Sequence, residues 1–182
     1  MAAPALMRSQ DYFRTPLRVL PAELIYGAMR LADSPLPRHQ AAVAQLFRAL
    51  DAHVRERKLG DMWLAPLDVI LDYEKALIVQ PDLFFVSNFR KDIIGERVRG
   101  APDLVIEVLS PNPRIGSVDE RVRWFAEYLV RECWLLHQDR RELAVLQFAN
   151  RRVRSRRVYR RKEPIVSAVL PDFTSCVDDI LI

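Results

Sequence analysis

Two stretches decide how the chain folds: Pro81-Asp-Leu-Phe-Phe-Val86 and Ala101-Pro-Asp-Leu-Val-Ile-Glu-Val-Leu-Ser-Pro111. Each is an apolar run of strand length, and Leu104 to Leu109 is apolar enough to be a central strand with both faces covered. Glu107 interrupts that run, with Val105, Ile106, Val108 and Leu109 around it. A carboxylate in such a strand is costly unless it is paired or holds a metal. Asp82 stands at the mouth of the other run. One fixed carboxylate at the start of a strand and a second inside the next can hold a hard divalent cation through oxygen ligands.

Working outward, Ser117 to Val130 is helical, with Val118, Val122, Phe125 and Leu129 on one face and Arg121 beside it. It runs into a strand, Glu132 to Leu136. Glu142 to Phe148 and Arg152 to Val158 read as a hairpin turning at Asn150, while Ser167 to Phe173 and the terminal Asp-Asp-Ile-Leu-Ile add an edge piece. On the N-terminal side, Glu23 to Ala32 is a small hairpin around Gly27, and His39 to Lys58 is a helix with Val43, Leu46, Phe47, Leu50 and Val54 at helical spacing. Trp63 to Leu71 is a strand, and the run from Ala76 to Val86 is one strand bent at Pro81 or two short ones. Residues 87–100, with Arg90, Lys91, Arg97 and Arg99, form the longest loop. Residues 1–18 are expected to be a flexible arm and 19–182 a single domain. The order of elements is α/β, of the mixed α+β kind: a central mixed sheet flanked by helices, with an N-terminal and a C-terminal hairpin.

The 182 residues, half of them apolar, suffice for one well-cored domain. The net charge of +4 permits a nucleic-acid partner without requiring one. Two isolated cysteines, Cys133 and Cys176, make neither a disulfide framework nor a zinc spacing. No apolar run reaches membrane-spanning length and the first residues have no signal-peptide core, so a cytoplasmic protein is expected. There is no Gly-x-Ser-x-Gly elbow, no phosphate-cradling glycine loop, and no metal-like spacing of His39, His53 and His137.

Pro81-Asp82, the 101–111 stretch and Glu132-x-Trp134 resemble the Uma-two family of putative restriction endonuclease-like proteins, in the PD-(D/E)xK nuclease superfamily. Glu23-Leu-Ile-Tyr-Gly27, Ser34-Pro35 with His39, and Val169 to Phe173 extend the resemblance over nearly the whole chain. It implies a restriction endonuclease-like core and metal-dependent hydrolysis of nucleic-acid phosphodiesters. Asp82 and Glu107 would hold Mg²⁺ or Mn²⁺, DNA would be the substrate, and a homodimer is the superfamily's habit. The chain departs from the family twice. Where the family carries a catalytic Lys, thirteen residues before the Trp, stands Arg121, and after Gly27 the family's Glu is replaced by Ala28.

The catalytic set implied is therefore Asp82, Glu107 and Arg121, with Glu23, His39 and Lys91 as possible auxiliaries. Arg121 keeps its charge and cannot serve as general base. It either stabilises developing phosphate charge or only neutralises the acids in a catalytically degenerate domain that binds nucleic acid or protein. Lys91 is a candidate substitute for the missing Lys, and Glu23 either faces the metal or is solvated. His39 is a site residue or an ordinary helix-start residue. Asp103 reads as a strand-end residue rather than a ligand. Arg152, Arg154 and Arg156 alternate onto one face of their strand, giving either a stripe that contacts phosphates or a charge-protected edge.

Overall fold

The chain crosses between two sheets at two prolines, and those crossings place the candidate site. The computed structural model describes residues 6–15, 21–31, 34–109 and 117–181. In order the elements are α1 (Ser9–Arg14), β1 (Ala22–Ile25), β2 (Ala28–Leu31), α2 (Pro37–Glu56), β3 (Gly60–Leu64), β4 (Val69–Asp72), β5 (Leu77–Val79), β6 (Leu83–Ser87), a 3-10 helix (Asn88–Ile93), β7 (Val98–Arg99), β8 (Leu104–Leu109), α3 (Val118–Glu127), β9 (Glu132–His137), β10 (Glu142–Ala149), β11 (Arg152–Arg160) and α4 (Val177–Ile180). The larger sheet has the order β11-β10-β9-β8-β6-β3 and the smaller β2-β1-β5-β4-β7. The larger sheet is mixed: β8 and β9 run parallel, and the other neighbours antiparallel.

The strand expected over 63–71 is thus two strands, β3 and β4, in different sheets. Pro66 lies between them, and a residue without an N–H cannot extend a ladder. Pro81 divides β5 from β6 in the same way, resolving the 76–86 run into two strands. Gly60 opens β3 against β6: an added Cβ there would run into the Val86 carbonyl oxygen. The first hairpin turns at Tyr26 and Gly27, both at positive φ (50° and 83°), which suits a tight two-residue turn.

One face of the larger sheet packs Leu83, Phe85, Leu104, Ile106 and Trp134 against Leu46, Leu50 and Val54 of α2. The 20-residue α2 begins with Pro37, whose missing N–H costs nothing in a first turn. The opposite face packs Phe84, Val105, Cys133 and Leu135 against Trp124 and Phe125 of α3 and against Val69, Leu77 and Val79 of the smaller sheet.

Two terminal expectations are corrected. Within the segment read as a loose arm, Ser9–Arg14 form a helix whose Tyr12 and Phe13 pack on Leu24, Ile70 and Ile78. The Tyr12 hydroxyl donates to the Ala22 carbonyl at 2.7 Å, and the Ser9 hydroxyl to Tyr73 at 2.7 Å. Apolar surface on the smaller sheet's outer face needs a cover, and α1 supplies it. Residues 1–5 and 16–18 lie outside the described residues. Near the C-terminus, Ser167 to Phe173 form turns rather than an edge strand. Their Leu170 and Phe173 join the α2 core, and Val177–Ile180 are helical. Among the described residues no helix is long and apolar enough to cross a membrane.

Candidate functional site

Leu83 pairs with Ile106 in the antiparallel β6–β8 ladder, so the next step along it sets Asp82 opposite Glu107. Residues opposite each other across a ladder share a face. The Val108 amide donates to Asp82 Oδ2 at 2.8 Å, which fixes that carboxylate at the strand end. From α2, His39 Nε2 lies 3.3 Å from the same oxygen.

Arg121 reaches the pair from α3. The phase of that helix is set by its first turn, where Ser117 and Glu120 form a reciprocal capping box with bonds of 2.9 and 3.2 Å. The guanidinium donates to Glu107 Oε1 through Nε at 3.0 Å and Nη2 at 2.6 Å, and through Nη1 to Glu23 Oε2 at 2.7 Å. Glu23 is itself held by the Gln80 amide at 2.6 Å. All three charged groups are buried. The arrangement is a guanidinium clamped between two carboxylates, one on each sheet.

Burial pushes the Glu107 carboxyl up to about 8 against the pull of Arg121, and the charges of Asp82 and Glu23 add to the rise. Burial also works against the charged form of Arg121, but Glu107 and Glu23 outweigh it and hold the group above the ordinary guanidinium value. The shifts of the two partners pull oppositely on the pair. The permanently charged guanidinium is the fixed point, and the upward direction for Glu107 follows first from its burial and then from the two further carboxylates around it. Its hydrogen bond to Asp82 holds His39 above the ordinary imidazole value, against the effect of burial.

Asp82 Oδ1 and Glu107 Oε2 accept no hydrogen bond among the described residues, while the other oxygen of each carboxylate is engaged. Two hard oxygens left open on facing strands fit a divalent cation. They are not a complete ligand set: among the described residues no three His, Cys, Asp or Glu side chains converge as a metal site. His39 Nδ1 is buried with no hydrogen-bond partner among the described residues.

Of the expected auxiliaries, Glu23 and His39 are brought to the acids and Lys91 is not. Lys91 follows the far end of β6 and pairs with Asp61 at 3.2 Å. The five residues of β6 separate it from Asp82, roughly 16 Å along the strand. Ala28 lies exposed on β2. Ser110 and Pro111 lie outside the described residues.

The basic hairpin also falls away from the acids. Glu107 stands level with Leu135, Ala144 and Val158 across successive strands. Three strand spacings put β11 roughly 14 Å to the side, and Arg152 is about 17 Å further along the strands. The single stripe expected for Arg152, Arg154 and Arg156 is corrected. Arg156 is opposite Leu146 and Arg152 opposite Ala149, three residues apart on β10, so these two arginines project from opposite faces. A register shift between Gln147 and Phe148 makes Arg154 the extra residue on β11.

Some of the family-like residues serve the fold. Glu132 is fully buried and accepts from Trp134 Nε1 at 2.7 Å, the Ser167 hydroxyl at 2.5 Å and the Ala168 amide at 2.7 Å. The Glu-x-Trp spacing places both side chains on one strand face, which is the signal that would have revealed the pair. Asp103 accepts the Ser87 amide at 2.8 Å and fastens β8 to β6. Gln80, which supports Glu23 with a backbone amide, carries no signal in the sequence because any residue but proline offers that donor.

Comparison with known proteins agrees with this architecture. The crystal structure of a putative nuclease belonging to DUF820 from Anabaena variabilis ATCC 29413 superposes with a TM-score of 0.79 at 16% identity, covering 96% of this chain and 97% of that one. No curated protein matches the sequence. The sequence pattern of the Uma2 family, described as "Putative restriction endonuclease", matches residues 10–178. The chain belongs to the Uma2 family, and its two-sheet core is the fold of that putative nuclease.

Proposed function

We propose that the protein is a metal-dependent endonuclease that hydrolyses phosphodiester bonds in DNA. The observation that carries this reading is the cross-strand opposition of Asp82 and Glu107, each with an open oxygen, under the guanidinium of Arg121. When bound, Mg²⁺ or Mn²⁺ supplies positive charge to a phosphate oxygen and lowers the pKa of water. Asp82 Oδ1 and Glu107 Oε2 would hold that ion. His39 and the Val108 amide keep the Asp82 carboxylate turned toward it. Arg121 supplies a fixed positive charge next to the developing phosphate charge, and its bond to Glu23 keeps it there when Glu107 is shared with the metal. Arg121 cannot take the proton of the attacking water, so that proton leaves to solvent or to the phosphate. Arg152 and Arg154 would contact phosphates well away from the scissile bond, and Arg156, on the opposite face from Arg152, would not join them. Two buried, unpaired cysteines accord with a reducing cytoplasm.

One observation favours a second reading, a degenerate nuclease fold that only binds. Arg121 already neutralises Glu107 and Glu23, as a structural arginine would. Calorimetry with millimolar Mg²⁺ and Mn²⁺, followed by a cleavage assay on mixed DNA, separates the two. The endonuclease takes up metal, loses that uptake in Asp82→Asn, and cuts. A protein that takes up neither ion and cuts nothing is the binding module.

A further inference from the structure

The end of the larger sheet remote from the acids carries a second set of unabsorbed residues. Three strand ends and two turns meet there. Gly60 pairs with Ser87 at the start of β3, the Asp103 amide donates to Phe85 at the start of β8, and the Phe148 amide donates to Arg131 beside the β10–β11 turn. This alignment brings Lys58, the 3-10 helix, Arg131 and the tip of the basic hairpin to one edge. Segments far apart in sequence therefore form a single cationic row spanning five strand spacings, roughly 24 Å.

Phe89 sits in that row with its side chain 98% exposed. Its backbone is well held. The Asn88 side chain donates to the Lys58 carbonyl at 2.6 Å, the Asn88 amide to Leu59 at 2.9 Å, and the Ser87 amide to Asp103 at 2.8 Å. The ring is thus presented on a fixed mount, flanked by Arg90 and Lys91. Arg90 and Arg131 share the one buried carboxylate of Asp103, at 3.7 and 3.4 Å, which leaves positive charge in excess. Lys58, Arg152 and Arg154 make no ion pair among the described residues, and the last two line a shallow hollow with Ala149 and Asn150.

Lys91 is paired with Asp61, but an exposed aromatic ring in a row that also holds the unpaired cations Lys58, Arg152 and Arg154 suits an unpaired base stacked on the ring, with its backbone tracked by those cations. In a duplex the base faces are already stacked on one another, so the ring would have nothing to cover. We propose that this sheet end is an exosite for single-stranded DNA, with Phe89 as the stacking platform and Lys58, Arg152 and Arg154 as phosphate contacts. The proposal rests on the nuclease reading for the identity of the polymer, but its geometry is independent of the acid pair.

The test is fluorescence anisotropy of a labelled 20-nucleotide oligo-dT and of a blunt duplex, in chelator so that nothing is cut. The single strand is expected to bind more tightly than the duplex. Phe89→Ala should weaken the single-strand complex about tenfold. The double variant Arg152→Ala with Arg154→Ala should lower the salt slope by about 1.4, or about 0.7 per phosphate contact. Equal affinity for the duplex, or a Phe89→Ala variant that binds like wild type, overturns the exosite. A protein that binds oligo-dT through Phe89 yet never cleaves DNA with metal present keeps the exosite and loses the nuclease reading.

Discussion

Arg121→Ala removes the clamp at the centre of the site. Three charge-assisted hydrogen bonds are lost, at 3.0, 2.6 and 2.7 Å, and Glu107 and Glu23 are left facing each other in a buried space. The net contribution of such bonds to charged groups is about 1.5–3 kcal/mol each, but the three share one guanidinium and do not simply add. Removing one partner of a buried ion pair costs about 3–5 kcal/mol net. For a domain of this size that corresponds to a fall in Tm of about 8–13 °C. The loss depends on pH, with a definite sign. In the wild type, the Glu107 carboxyl already rises from 4.5 to about 8 in the fold despite Arg121. Without the guanidinium the carboxyl is held higher still. A carboxyl whose folded value is raised is not penalised below its unfolded value, and it destabilises increasingly as pH climbs toward the folded value. Wild type carries the same penalty up to about pH 8, where its own Glu107 ionises beside Arg121, so the variant should fall progressively further behind only above about pH 8. Circular-dichroism melts of wild type, Arg121→Ala and Arg121→Lys at about pH 7 and about pH 9.5 test this, with metal-dependent cleavage measured in parallel. Arg121→Lys keeps the charge and should recover part of the stability. If the centre is active, it should also keep or raise turnover, whereas Arg121→Ala should lose about 10²-fold or more. A Tm for Arg121→Ala within a degree or two of wild type at about pH 9.5 would refute the clamp.

Two further predictions concern the frame around the site. Glu132→Ala should orphan the donors of Trp134, Ser167 and Ala168, costing about 3 kcal/mol or more. It should expose the 167–173 segment to proteolysis before the rest of the domain. Gly60→Ala places a Cβ against the Val86 carbonyl oxygen, so β3 must move off β6. A Tm drop of several degrees with loss of amide protection at Ser87 and Asn88 is expected, and an unshifted melt would mean the strands approach less closely.

The local elements were legible because each rests on neighbours in sequence. The 3.6-residue spacing of Val43, Leu46, Leu50 and Val54 marks α2, and the capping box at Ser117 marks the start of α3. Glu107 stood out as a carboxylate in an apolar strand, and its burial agrees. Glu23 was one of several acids with no local oddity. Its place in the site comes from β1 pairing with β5, which brings it beside Gln80. The 63–71 run misled because Trp63, Leu64 and Val69 to Leu71 all suit strands, and only the change of sheet at Pro66 separates them. The stripe on β11 failed for a related reason: alternation assumes an unbroken ladder, and one extra residue reverses it.

By itself the sequence determined the two long helices, the strands of the central run from Leu83 to Leu136, which carboxylate is anomalous, and the resemblance to a nuclease family. Each of these depends on residues a few positions apart. The tertiary structure alone decided who meets whom. It set Glu23 on Arg121 across two sheets, sent Lys91 to Asp61, carried the tip of the basic hairpin to the sheet end remote from the acids, and left Phe89 exposed at that same end. Those contacts join residues tens of positions apart. They depend on strand order and register, which backbone pairing across the whole sheet fixes and no local pattern encodes.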